Sequence, residues 1–242
     1  AAVLPGVLVL PMLPPSKPKQ RPGAGVGLYQ ETAMTDLTLY TNPQSRGRIA
    51  HWMMEELGEP YDTVWLDYGS SMKASDYLAV NPMGKVPALR HAAVVVTEAA
   101  AICAYLADAF PHKGLLPQTP AERSAYFRWL FFAAGPLEQA VVSRALGWEV
   151  PPGRGAMVGF GSYADTLNAL ESWLREGPFV CGERFTAADV YVGSSVTWGL
   201  MFGTIEKRPV FEAYAARVMA RPAYTRALQI NEARLAAGGA AG

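Results

Sequence analysis

The chain has 242 residues, half of them apolar, and 21 basic against 21 acidic side chains give a formal charge of zero. That length fits one large domain or two small ones with a real core. The even balance offers no basic field for nucleic acid, and no apolar run is long enough to span a bilayer. The only cysteines, Cys103 and Cys181, form no CxxC or Cys/His cluster. Neither a metal site nor a dithiol centre is therefore expected, and their scarcity suits a reducing, cytoplasmic compartment.

Residues 1–33 are crowded with Pro and Gly and show neither helical nor strand periodicity. They read as a disordered leader. A signal or transit peptide fits less well, because no basic residue precedes the apolar run and Pro5 and Pro11 interrupt it. Met34 is a natural first residue of the folded part. Leu37–Tyr40 alternates and ends at Thr41-Asn42-Pro43, a strand followed by a turn. Ser45 then precedes a helix with Ile49, Trp52, Met53 and Leu57 on one face, closed by Gly58 and Pro60. Tyr61 to Leu66 reads as a second strand, and one short helix is expected between Tyr68 and Asn81. Val86–Arg90 and Val94–Thr97 read as strands joined by a tight turn at His91-Ala92. Glu98 to Phe110 reads as a helix with Ile102, Tyr105, Leu106 and Phe110 buried. The order predicts a small mixed sheet with helices on its faces, its first two strands parallel.

Beyond Phe110 the strand signals stop. A Pro-bounded linker leads to helical segments at Ala121–Phe132, Tyr163–Glu176, Ala187–Trp198 and Pro209–Ala220, with a flexible connection from Gly147 to Gly161. The expected domains are 34–112, a linker over 113–120, and a helical domain over 121–242. In "RFTAADVYVGS", Thr186 and Asp189 have capping-box spacing, with Phe185 as one half of a hydrophobic staple. Trp129, Phe131, Phe132, Trp148 and Trp198 read mainly as core, and a few of them could line an apolar pocket between the domains. Cys103 and Cys181 read as small buried hydrophobes. His51, His91 and His112 are scattered and suggest no metal site.

Four segments, "LYTNPQSRGRIAHWMMEELG", "NPMGKVPAL", "TEAAAICAYLADAF" and "FTAADVYVGS", stand together in an order and spacing that resembles the cytosolic glutathione transferases of bacteria, with the serine-type members the preferred match. The resemblance implies an α/β thioredoxin-like N-terminal domain and an all-α C-terminal domain. It implies a cis Pro87, which presents the backbone of Val86 to an extended peptide as an added strand. The implied co-substrate is glutathione, with no cofactor and no metal. Its γ-glutamyl carboxylate would meet the N–H of Ala99 at a helix start, its ammonium Glu98, and its glycyl carboxylate Lys85. Glu98 also reads as an ordinary first-turn acid, and Lys85 as a solvated surface cation. The family usually carries Ser after this Glu; Ala99 lacks that hydroxyl, worth roughly 1.5–3 kcal/mol as a bond to a charged group.

Activation of the thiol needs a donor near the first helix. Ser45 is the preferred candidate, although it could be a plain N-cap. Tyr40 is the alternative, and Thr41, Asn42 or a backbone group are further donors. No cysteine occupies that turn. The expected function is conjugation of glutathione to a hydrophobic electrophile. The alternatives are a glutathione-dependent disulfide reductase or peroxidase, and a non-catalytic binding protein of the same fold. A homodimer is expected, because Glu98–Phe110 and Ala121–Phe132 carry more apolar surface than one buried stripe needs.

Overall fold

The computed structural model describes residues 36–239. The expected leader over 1–33 lies outside them. Strand β1 (Leu37–Thr41) buries Leu37, Leu39 and Thr41 on one face, as its alternation requires. Helix α1 (Gly47–Leu57) buries Ile49, Trp52, Met53 and Leu57 and ends at Gly58, whose φ of 67° lets its N–H reach Met54. Strand β2 (Asp62–Trp65) pairs parallel to β1. A short α2 (Ser75–Leu78) follows. Strands β3 (Ala88–His91) and β4 (Val94–Thr97) form an antiparallel hairpin, and α3 (Ala99–Ala109) completes this half. The sheet order is β2-β1-β3-β4, with β3 antiparallel to both neighbours.

Three local expectations shift. β3 starts at Ala88 rather than Val86, because Pro87 has no N–H to give a ladder. The hairpin turn is Ala92-Ala93 rather than His91-Ala92: His91 pairs with Val94, and Ala92 takes the positive φ. On α3 the buried stripe is Ile102, Cys103, Leu106 and Ala107, while Tyr105 is half-buried and hydrogen-bonds His91 Nδ1 at 2.9 Å.

The second half is helical. α4 (Pro120–Phe132) opens on a capping box of Thr119 and Glu122. It runs through a π-helical turn (Ala133–Leu137) into α5 (Glu138–Ala145). Pro136 sits inside that turn, where a wider hydrogen-bond spacing tolerates its missing N–H. Then come α6 (Tyr163–Leu174), α7 (Ala187–Phe202), α8 (Pro209–Met219) and α9 (Pro222–Gly239). The fold is a thioredoxin-like N-terminal domain with a four-stranded mixed sheet, followed by a helical C-terminal domain.

The capping box at the start of α7 forms: Asp189 Oδ2 accepts the Thr186 N–H at 2.9 Å. One apolar core runs through both halves. Trp52 of α1 is its bridge, meeting Tyr224 edge-on and Phe185. Gly193 of α7 makes room for it, since a Cβ there would lie 3.4 Å from the indole and 3.2 Å from Val218. Two aromatics expected in the core are outside it: Phe131 is 73% exposed and Trp148 66%. Phe131 falls on the face of α4 away from buried Trp129, and Trp148 lies in the connection after α5, beyond any helical stripe.

α5 and α9 correspond to none of the periodic segments read from the sequence. α9 packs along α1 and is tied to it by polar groups. Arg221 grips Glu56 with two bonds of 2.6 and 2.7 Å, Arg226 meets Glu55 at 2.9 Å, and Arg48 pairs with Glu232. His51 Nδ1 lies 3.3 Å from Asn231 Oδ1, and burial lowers the His51 pKa, which keeps the ring neutral.

Candidate functional site

The strand registers bring three chain segments to one end of the sheet. Tyr40 pairs with Ala88, and Ala88 with Thr97. Continuing each antiparallel ladder by one residue sets Thr41 beside Pro87 and Pro87 beside Glu98. The sequence-predicted residues Val86, Pro87, Glu98 and Ala99 therefore meet where β1 ends.

The first segment is the β1–α1 loop. Asn42 is buried and acts as its clip. Its Nδ2 donates to Leu66 O at 2.7 Å, and its Oδ1 accepts from Gln44 N–H at 2.8 Å. Its carbonyl accepts the Ser45 hydroxyl at 2.7 Å and the Ser45 N–H at 3.2 Å. The Ser45 oxygen in turn accepts the Gly47 N–H at 2.9 Å. Arg46, rather than Ser45, is the boundary residue of α1 and caps nothing with its side chain. Ser45 still satisfies one orphan donor of the helix. Gly47 is required here: a Cβ on it would fall 2.0 Å from Thr41 Oγ1 and 2.9 Å from Ser45 Oγ.

The second segment is Asn81–Pro87. Buried Asn81 shapes it, accepting from Met83 N–H at 3.1 Å and donating to Lys85 O at 2.7 Å. The Val86–Pro87 peptide is cis. The backbone N–H and C=O of Val86 make no hydrogen bond to another described residue. The Lys85 side chain is exposed.

The third segment is the start of α3. Glu98 is exposed, stands at φ 69° and gives the helix no side-chain cap. A non-glycine residue in that region carries strain of about 1–3 kcal/mol. The N–H groups of Ala99, Ala100 and Ala101 have no partner among the described residues, leaving a bare positive helix end.

Tyr40 points elsewhere. It sits on the opposite face of β1 from Leu39 and Thr41, its ring 5.6 Å from that of Tyr77 and 5.6 Å under the Arg90 guanidinium. It packs with Val86 in a small second cluster around Leu66, Met72 and Ala88.

Ser45 lines a cleft of about 600 Å³ between the β1–α1 loop and the helical domain. Leu137, Val141, Trp198 and Phe202 supply apolar wall. Two ion pairs span it, Arg46 to Glu138 and Arg48 to Glu232. These four residues were not singled out from the sequence. Arg46 and Arg48 flank Gly47 beside Ser45, which is a usable local signal; Glu138 and Glu232 lie 92 and 184 residues from their partners, and no motif marks them.

Neither cysteine lines the cleft. Both are buried, and burial pushes the thiols up, Cys181 to about 11. Among the described residues no group of three or more His, Cys, Asp or Glu is suited to a metal ion, and no helix is long and apolar enough to cross a membrane.

Val86, Pro87, Glu98 and Ala99 do not line that cleft, which the sheet domain borders mainly through its β1–α1 loop. A thioredoxin-like domain followed by a helical domain is the build of the glutathione transferase fold. The chain matches the family model of the glutathione S-transferase N-terminal domain over residues 46–109 and that of the C-terminal domain over 159–222. A glutathione transferase structure from Methylococcus capsulatus is 30% identical with a TM-score of 0.67, covering 81% of this chain and 98% of that one. A theta-class enzyme from Xanthomonas axonopodis pv. citri, solved with glutathione bound, is 30% identical with a TM-score of 0.63, at 81% and 98% coverage. GstA of Escherichia coli O157:H7 is 28% identical over 191 residues, 77% of this chain and 94% of that protein. The chain belongs to the glutathione S-transferase family, enzymes whose substrate is glutathione.

Proposed function

We propose that the protein conjugates reduced glutathione to an electrophilic small molecule, with Ser45 stabilising the thiolate. The observation that carries this reading is the Ser45 hydroxyl on the wall of the interdomain cleft, beside the start of α1. A free thiol has a pKa of about 8.5, and a hydroxyl donor together with a helix N-terminus favours its ionised form. The Ser45 hydrogen bonds Asn42 O. Turning it toward sulfur releases that bond and leaves the cap on Gly47 N–H intact. Tyr40 suits the role less, because its ring is engaged with Tyr77 and Arg90.

Glutathione runs along the site end of the sheet in this reading. Its cysteinyl backbone pairs with the free N–H and C=O of Val86. Its γ-glutamyl carboxylate takes the N–H of Ala99, its ammonium faces Glu98, and Lys85 attracts the glycyl carboxylate. The electrophile occupies the apolar cleft. Two copies associate through α3 and α4, an assignment supported by Phe127 and Phe131, one turn apart on α4 and 45% and 73% exposed. A cytoplasmic setting agrees with two unpaired, buried cysteines.

The test is conjugation of glutathione to a chloronitrobenzene acceptor, run beside disulfide reduction and a glutathione titration of Glu98→Ala. Conjugation by the wild type and a clearly weaker Kd in the folded variant are expected. Turnover of disulfides alone, or unchanged affinity in the variant, would sink the assignment. Light scattering reads the dimer: a mass that stays near the 26.1 kDa of one chain on concentration excludes it.

A further inference from the structure

His51 is fully buried in the seam between α1 and α9, its ring 5.2 Å from that of Trp65 and 6.0 Å from that of Tyr61. Its tautomer is set by Asn231, which is equally buried. Asn231 Nδ2 donates to Ala227 O at 2.7 Å, and a carbonyl only accepts, so the Asn231 oxygen is the atom turned to His51 Nδ1 at 3.3 Å. The ring hydrogen therefore sits on Nδ1. Nε2 is left as a bare acceptor, sealed from solvent and without a partner among the described residues.

A proton on Nε2 puts a cation and an unanswered donor into that seam, a state that is costly while α9 is docked. The charged groups around the ring do not remove the cost. On α1, Glu55 stands one turn further along, but its carboxylate already accepts from the Tyr61 hydroxyl at 2.7 Å and from Arg226 at 2.9 Å. Arg48, one turn before His51, is a cation paired with Glu232 of α9. Arg234 of α9 places a second cation 5.7 Å from the centre of the Trp65 ring. On the β2 side, burial raises the Tyr61 pKa, which keeps that hydroxyl neutral, and Asp62 falls on the opposite face of the strand from Trp65. Burial is the largest influence on His51 and lowers its pKa, against smaller opposing contributions from Asn231 and Glu55.

Lifting α9 removes the conflict. Nε2 then reaches water, and His51 regains the ordinary pKa of about 6.5. The released form binds a proton that the docked form refuses, so acid shifts the balance toward release. α9 brings Tyr224, Ala223 and Ala227 to the core, less apolar surface than α7 brings, which suits it to opening alone. We propose that His51 is a proton-operated latch: acidification below neutral pH protonates Nε2, releases α9 from α1 and takes Glu232 and Leu235 out of the cleft wall. The latch is independent of the reaction that the cleft serves.

Amide hydrogen exchange reads it, as protection factors of α9 and α7 with the intrinsic exchange rate divided out. In the wild type, α9 should exchange faster than α7, and its protection should fall about tenfold from about pH 7.5 to about pH 5.5, the linkage of one histidine released into water. His51→Gln keeps a hydrogen-bonding side chain that does not titrate, and its profile should be flat. Asn231→Asp sets an anion against the Nδ1 hydrogen, so the docked ring keeps its proton and protection should rise as pH falls. A flat wild-type profile, an unchanged slope in His51→Gln, or equal protection of α9 and α7 would overturn the proposal. Should His51→Gln fail to fold, the wild type and Asn231→Asp decide it: slopes of opposite sign support the latch, and slopes of the same sign overturn it.

Discussion

The starts of α7 and α3 meet the same physical problem and resolve it in opposite ways. Each helix opens with N–H groups that have no intrahelical acceptor. At α7 the donors and their surroundings are knotted around Asp189, which is fully buried. Its carboxylate accepts from Val180 N–H at 2.7 Å, Thr186 N–H at 2.9 Å, the Tyr214 hydroxyl at 2.9 Å and the Thr186 hydroxyl at 3.2 Å. At α3 no side chain caps the helix, Glu98 is held at φ 69°, and three N–H groups have no partner among the described residues. One start contributes stability and has nothing left to offer a ligand. The other is strained and keeps its donors available. The start of α1 lies between them, with a Ser45 hydroxyl that caps one N–H and can turn its own hydrogen elsewhere.

The largest expected effect falls on the knotted start. Asp189→Ala leaves two N–H groups and two hydroxyls without their acceptor in the core, and should cost about 3–5 kcal/mol in urea unfolding. Burial raises the Asp189 pKa from its ordinary 3.8 to about 6. The folded state thus holds a proton between those values that the unfolded chain has released. This group's contribution falls as pH rises from about 4 to about 6 and is level above that. Subtracting the curve of Asp189→Asn from that of the wild type should isolate this fall; a flat difference would show that the buried carboxylate titrates normally.

Ser45→Ala comes next. It should raise the pKa of bound glutathione thiol, read as thiolate absorbance, and lower kcat/KM at neutral pH about 100-fold. Its cost to stability should be only about 1 kcal/mol, the worth of a lost cap. If Tyr40→Phe reproduces the kinetic loss and Ser45→Ala does not, Tyr40 is the donor.

The bare start yields the two smaller effects, both measured by calorimetry. Ala99→Ser supplies a hydroxyl beside the free N–H groups and should tighten glutathione about tenfold; weaker binding would refute the account of Ala99. Glu98→Gly should separate stability from function. Glycine relieves the left-handed strain, so the variant should gain about 1 kcal/mol while binding glutathione less well. A loss of stability there would mean that Glu98 is not strained and that the contrast between the two helix starts is misdrawn.

Much of this contrast was legible before any coordinates. Thr186 and Asp189 are three residues apart, and a capping box is decided within that span. The buried faces of β1 and α1 follow from periods of two and 3.6 for the same reason. α9 was not legible, because it meets α1 largely through polar groups, Arg226, Asn231 and Glu232, with Arg221 just before it. Its apolar contribution is the half-buried Tyr224 against Trp52 and the small Ala223 and Ala227, too sparse a stripe to read as a helical period. Asn42 was read only as a turn residue and a further thiol donor, and Asn81 was not singled out, for a related reason: a buried amide clip resembles an ordinary turn residue until its partners are known.

By itself the sequence determined the local elements, the hydrophobic faces, the cap at α7 and the family-level expectation, because each depends on neighbours within a few residues or on motifs standing in order. Tertiary structure alone decided which ends meet. Thr41, Pro87 and Glu98 share one end of the sheet only because the β1–β3 and β3–β4 registers bring them there. The cleft likewise gathers residues remote in the chain, with Arg46 paired to Glu138 and Arg48 to Glu232 across 92 and 184 residues. The positive φ of Glu98 is likewise a property of its surroundings, since no local preference of glutamate favours it. Contacts between residues far apart in the chain are selected by the packing of the whole molecule, and short-range propensity carries no record of that packing.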